Sequence, residues 1–386
     1  MPMPVAEPVA PTSPTSAPLG PPTHASYLAR KYFGSLDLFR FLAIVAVLWH
    51  HTSEGVAWLP ASTRGFLGVD GFFVISGFLI VTLLLRERDR SGTIALRQFY
   101  LRRSLRIFPV YYAMLGTLAA FFLLVKPRSP MARPFLADLP YQLAYLSDLV
   151  GGGTILAFTW SLAAEEQFYL AWPPVEKWLR GAAIPILLVV IAINQAINFG
   201  LLDGVFGPSW RGRQISQITF TPICLGVLLA HALHDRRWYD RCARWLGRPW
   251  ESLALAALVA LACNIPQDDL SGWPRLTIQA LMTLLLATCV IREDNWLNRL
   301  LGSRAVRRVG VISYGMYLYH MFAAHVARLL VGPEPSAPPF AFFLVTLALT
   351  VVAAELSFRF YETPFLRLKD RLGGHARARR EPEAGG

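Results

Sequence analysis

About ten stretches of this chain are long and apolar enough, or nearly so, to cross a bilayer as helices. They are residues 36–53, 66–85, 106–125, 154–172, 181–200, 214–233, 252–265, 276–291, 309–330 and 339–358. A backbone inside hydrocarbon must satisfy its own hydrogen bonds, so this pattern restricts the chain to a helical bundle. Composition agrees: 54% of residues are hydrophobic and 16% charged, further to the apolar side than a soluble domain. The expected fold is all-α and polytopic, with about ten transmembrane helices.

The net charge of +12 invites a nucleic-acid or lipid reading, and its distribution decides between them. With the N-terminus inside, 28 Lys and Arg fall on the inner side and 7 on the outer. That bias predicts both termini cytoplasmic, and it leaves the bilayer as the partner of the positive charge, with no case for nucleic acid. Residues 1–32 read as a disordered cytoplasmic tail, since 8 of the 28 prolines lie in its first 25 residues with no apolar core of a signal peptide. Residues 367–386 read as a basic, disordered cytoplasmic tail. The 4 cysteines have no paired spacing, and neither a disulfide nor a metal site is expected. No outer loop is long enough to fold alone.

Ionisable side chains within the spans are costly and point to function. Arg40 and His51 share the first span. Eleven helical steps return to within about 20° of the starting face, roughly 16 Å further along the axis. A cation and an imidazole on one stripe suggest a site that binds an anion and moves a proton. The alternative is an Arg and a His pair snorkelling at the two membrane faces. His50 points about 80° to the other side. Asp70 lies at the depth of His51 and could orient its ring or cap the second span. Gly71 and Gly77 suit close helix packing, and Ser76 lacks the setting of a nucleophile. Arg102, Arg103 and Arg106 close the basic 86–106 loop at helical spacing. They suit a phosphorylated ligand, or ordinary inner-face basicity. Glu165 and Glu166 lie about 100° apart on a helix, so the two are not expected to face one partner. His320 near mid-membrane fits a structural hydrogen bond or a proton path. His231 and His234 read as interfacial, with a metal as the lesser alternative.

Six stretches, in order, resemble the membrane-bound acyltransferase-3 family over roughly residues 33–366. They are Leu36–Arg40 with His51, Gly68–Phe78, Arg102–Pro109, Trp160–Tyr169, Ser313–His320, and Tyr361–Glu362 with Pro364. The resemblance implies an enzyme of the bacterial inner membrane that moves an acyl group, usually acetyl, from a coenzyme A thioester to a hydroxyl. No tightly bound cofactor is implied. The implied acceptor is a carbohydrate or glycolipid of the cell surface, or a macrolide-type small molecule. On this reading Arg40, Arg102, Arg103 and Arg106 bind the coenzyme A phosphates. His51 is the general base or, alternatively, a covalent acyl carrier, and Asp70 or Glu165 orients its imidazole. An extended pantetheine arm is on the order of the 16 Å from Arg40 to His51. Some members of the family carry a fused periplasmic hydrolase-like domain, and the sequence as it stands leads us to expect only the transferase activity.

A proton-coupled transporter or exporter is the rival from another class, since intramembrane His and Glu and the polar Asn194, Gln195 and Asn198 also suit a carrier. No inverted repeat supports it. A scaffold for polysaccharide assembly is the third possibility. Recognition of acyl-CoA separates the transferase from both.

Overall fold

The computed structural model describes residues 22–53, 60–149, 155–207, 220–266, 270–332 and 339–369. Arg211 and Arg213 of the expected outer loops, and residues 1–21 and 370–386 of the expected tails, lie outside them. Among the described residues the structure is all-helical, without strands. In chain order the helices are α1 (His24–Ala29), α2 (Gly34–Thr52), α3 (Leu67–Ser91), α4 (Leu96–Ala120), α5 (Ala132–Leu143), α6 (Trp160–Trp178), α7 (Ala183–Asn198), α8 (Asp203–Phe206), α9 (Thr221–His234), α10 (Arg236–Leu246), α11 (Glu251–Ala262), α12 (Trp273–Ile291), α13 (Trp296–Leu301), α14 (Arg304–Val331) and α15 (Pro339–Leu356).

Among the described residues, four segments are long and apolar enough to cross a membrane: Leu67–Ser91, Leu96–Val125, Trp273–Ile291 and Pro339–Lys369. Each of the other expected spans corresponds to a helix that fails one criterion. α7, α9 and α11 are shorter. α2, α6 and α14 have the length but carry the ionisable and polar side chains of the site described below, which lowers their apolarity. The 86–106 stretch is largely helical, not a loop. α3 runs to Ser91 and α4 begins at Leu96, so Arg102, Arg103 and Arg106 sit on a helix. The ordered body also begins before residue 33, because Tyr27 of α1 is buried against Phe33 and Tyr239.

α3 is the central helix. Its apolar window is 78% buried, against 28% for the segment containing α15, so α3 faces protein and α15 faces lipid. α3 packs most extensively on α9, and α14 packs on α15 and α2. Glycines permit these approaches. A Cβ on Gly77 would lie 2.0 Å from the Ile223 carbonyl oxygen, and one on Gly226 would lie 2.2 Å from that of Val74. Gly310 of α14 meets the Asp37 carbonyl of α2 equally closely. Small residues at crossings are how bilayer helices gain packing energy.

The connecting segments divide between two ends of the bundle. At one end Arg86 donates to the Tyr27 and Arg30 carbonyls, Arg180 to Gly92, and the Trp296 amide to Pro249. Glu293 accepts from the Ser35 amide at 3.0 Å, capping the start of α2 with a carboxylate where the helix dipole favours one. At the other end Arg64 donates to the Cys263 and Ile265 carbonyls, and the Ala61 amide donates to Asn264. The segments expected to be cytoplasmic from charge bias thus meet at one end, and those expected to be external meet at the other.

Gly77→Val forces a side chain into the α3–α9 crossing. The expected cost is about 1–3 kcal/mol, as for other overpacked interiors, read as a lower unfolding temperature in detergent. Gly71→Ala, whose added Cβ would meet only the Ala43 methyl at 3.7 Å, should leave that temperature nearly unchanged.

Candidate active site

α2, α3, α4, α6 and α14 wall an open cleft whose empty space, counted together with the part that runs into solvent, is about 870 Å³. Arg103 and Arg106 are i,i+3 neighbours on α4, so both face the cleft. Arg40 joins them from α2, Ser76 from α3, Glu165, Glu166 and Tyr169 from α6, and Tyr314 and Tyr317 from α14. Arg102 is turned about 100° away. It pairs instead with Glu87 of α3 at 3.3 Å, with 38% of its side chain exposed.

The cations differ in what already neutralises them. Arg40 is bound to Asp37 at 2.8 Å, and Asp37 also accepts from the Tyr32 hydroxyl. Arg103 lies 3.2 Å from Glu165 and 3.6 Å from Glu166, and its guanidinium stacks 3.5 Å over the Tyr169 ring. The two glutamates do share a partner, contrary to the expectation from helix geometry. The planar fork of an arginine presents donors in more than one direction and spans the angle between them. Glu165 further accepts from the Ser76 and Tyr169 hydroxyls. Arg106 has no hydrogen bond or salt bridge among the described residues. Of the four arginines, it is the one whose charge is left for a ligand.

His51 stands at the far end of α2 from Arg40, with its ring 5.0 Å from that of His320 of α14. His50 turns to the other side, its Nδ1 3.2 Å from the Thr63 carbonyl oxygen and its ring against Phe66. Neither carboxylate expected to orient His51 touches it. Asp70 is buried and engaged by Arg275, at 2.9 and 3.0 Å, and by Gln279 at 3.1 Å. Both its oxygens are occupied. Glu165 is committed to Arg103, Ser76 and Tyr169. Tyr317 connects the two parts of the site: its side chain lines the cleft, while its carbonyl oxygen lies 2.6 Å from His320 Nδ1.

The arrangement can hold an anion at Arg106 and keep a half-buried imidazole away from carboxylates. Of the residues that the sequence singles out, the structure places Arg40, Arg103, Arg106 and Glu165 on one cleft and His51 on the same helix as Arg40, with Glu165 beside Arg103 and not beside His51. Reading the sequence missed the cleft roles of Ser76, Glu166 and Tyr169 and the contact of His51 with His320. The signal for these was present, since each falls within one of the six family-like stretches. His231 and His234 lie outside the site, bound to Glu176 at 2.7 Å and Asp89 at 2.9 Å.

The Asp70 environment makes a structural role testable. Arg275→Ala would strand a buried carboxylate, and the expected loss is about 3–5 kcal/mol of stability, seen as a large fall in unfolding temperature. An unchanged unfolding temperature would remove this pair from the framework of α3 and α12.

Residues 33–356 match the acyltransferase domain family. A peptidoglycan O-acetyltransferase of Listeria monocytogenes is 29% identical over 366 residues, covering 87% of this chain and 56% of the relative. A Staphylococcus aureus protein, named provisionally as an O-acetyltransferase, is 28% identical over 88% of this chain and 58% of its own length. A Bacillus subtilis protein, named provisionally as a peptidoglycan O-acetyltransferase, is 28% identical over 86% of this chain and 55% of its own. The chain therefore spans a little over half the length of these curated relatives. No solved structure matches it. With the family matched across most of its length, and with helices apolar enough to span a membrane, the chain belongs to the membrane-bound acyltransferase-3 family.

Proposed function

We propose that this protein transfers an acyl group, acetyl in the first instance, from acyl-CoA to a hydroxyl of a cell-envelope sugar. Arg106 carries the reading. It is an arginine with no salt bridge among the described residues, facing a cleft beside Arg40 and Arg103, and guanidinium groups suit the bidentate geometry of phosphate. The names of the relatives favour peptidoglycan as the acceptor. The topology proposed with this function has about ten spans and both termini in the cytoplasm. The grouping of basic segments at one end of the bundle supports that arrangement. Coenzyme A would then reach the cleft from the cytoplasmic end, and the outer end would face the acceptor.

Arg106 holds the donor phosphates, and Arg40 and Arg103 stand beside it. Arg102, paired with Glu87, sits outside the cleft wall. The Glu165–Arg103–Tyr169 cluster keeps Arg103 in place while leaving its net charge low, so the donor is not bound too tightly to turn over. His51 takes the proton of the acceptor hydroxyl as that oxygen attacks the thioester carbonyl. The C–S bond then breaks, and the thiolate of coenzyme A leaves and takes up a proton. His51 can act this way because its ring makes no hydrogen bond among the described residues.

Acetyl-CoA at a hundredfold excess over its dissociation constant should raise the stability of the detergent-purified protein by about 2.7 kcal/mol. That rise should be largely lost in Arg106→Ala and largely kept in Arg102→Ala. Equal responses from both variants would remove Arg106 as the anchor, and no response in folded wild type would remove the acyl-CoA reading. His51→Ala should still respond to acetyl-CoA while losing about 10²–10⁴-fold in transfer rate, the usual worth of a general base. Acetyl transfer onto peptidoglycan glycan strands is the measurement.

A further inference from the structure

An imidazole acting as a base normally has its second nitrogen held by a carboxylate or carbonyl, which fixes the tautomer and the ring orientation. His51 has no such hydrogen bond among the described residues, and the two carboxylates that could serve, Asp70 and Glu165, are committed elsewhere. The ring packed against it on the α14 side is His320, at 5.0 Å between centroids.

The tautomer of His320 follows from its own contacts. Its Nδ1 lies 2.6 Å from the Tyr317 carbonyl oxygen. A carbonyl only accepts, so Nδ1 carries the proton. In the neutral ring Nε2 then carries the lone pair. This Nε2 is buried with no hydrogen-bond partner, in a residue only 1% exposed. A buried acceptor left unmatched is costly and is unusual in a folded protein. The titratable and charged groups to consider around the pair are few. His50 lies 5.1 Å from His51 on the same helix, while Phe158 and Tyr317 cover the remaining faces of His320 at 5.0 and 5.5 Å. Among the described residues, no acidic side chain is hydrogen-bonded or paired to either ring.

We propose that His320 is the positioning residue for His51. Its unpartnered Nε2 accepts the N–H of His51, which turns the other His51 nitrogen, with its lone pair, toward the acceptor hydroxyl. The inference rests on the reading of His51 as the general base. A neutral imidazole takes the place that a carboxylate holds in the usual arrangement. The chain Tyr317 carbonyl, His320, His51 hands the orientation of a cleft-lining residue to the base. Tyr317 is itself fixed, its hydroxyl 2.8 Å from the Phe158 carbonyl oxygen and 2.6 Å from the Ser161 hydroxyl. Movement of the cleft wall on donor binding would therefore be felt at His51.

The test uses the full-length protein in membranes, with acetyl-CoA and peptidoglycan glycan strands, and compares His320→Ala, His320→Gln and His51→Ala. An orienting partner of this kind is worth about 10–100-fold in activity. His320→Ala should lose that much in kcat with the KM for acetyl-CoA unchanged, and added imidazole should restore part of the rate. His320→Gln, whose amide oxygen can accept from His51, should retain most of it. If His320→Ala turns over like wild type, or if a folded His320→Gln is as inactive as His320→Ala and imidazole does nothing, the inference fails. In either case an inactive His51→Ala leaves the base intact. If instead His51→Ala retains full transfer, the underlying reading fails and His320 loses its role with it. Should His320→Ala not fold, the Gln variant alone decides, because inactivity in a protein with wild-type unfolding temperature overturns the proposal.

Discussion

The clasp of Arg103 on α6 is the contact on which the cleft depends. A guanidinium and two carboxylates, each half-buried in the cleft wall, meet a buried phenol, and each lowers the cost of placing the others there. Glu165 gathers donors from three helices at once, Ser76 of α3, Arg103 of α4 and Tyr169 of α6. Three walls of the cleft are tied at one carboxylate. Removing any one partner exposes the rest to a low-dielectric surround, which is why such clusters act as units and not as a sum of pairs.

The remaining charges follow the same logic with different consequences. Asp37 neutralises Arg40 from one helical turn away, and Arg275 neutralises Asp70 across the bundle. Each pair is a local solution that leaves nothing over. Arg106 has no such close pairing; it is exposed to the open cleft, where water solvates its charge until an anion visits. That asymmetry separates residues that build the site from residues that remain available within it. It also explains why the three arginines of the 102–106 stretch are not equivalent, although the sequence shows them as one basic cluster.

What could be read from the sequence is what helical periodicity controls. The face shared by Arg40 and His51, the shared face of Arg103 and Arg106, the turned-away His50 and the close-packing Gly77 all follow from residue spacing on one helix. The all-helical character follows from apolar run length. What could not be read is what crosses between helices. Arg275 is 205 residues from Asp70, and nothing local announces that this pair will meet and remove Asp70 from the neighbourhood of His51. The shared partner of Glu165 and Glu166 was missed for a related reason. Helix geometry fixes where a Cβ points, but the reach and fork of an arginine decide what it can bridge. The 86–106 segment was read as a loop because charge density was taken for irregular backbone, whereas arginine is a good helix former.

Partner accounting at the outer end of α2 carries the argument one step further. Burial of a histidine usually ends with both nitrogens satisfied. His320 satisfies one through its own helix, and its neighbour His51 satisfies neither among the described residues. The two incomplete imidazoles lie in contact while Arg275 and Arg103 hold Asp70 and Glu165 elsewhere, so under the proposal above a single shared proton completes both. A neutral base is the form that an acyl transfer needs at the moment the hydroxyl gives up its proton.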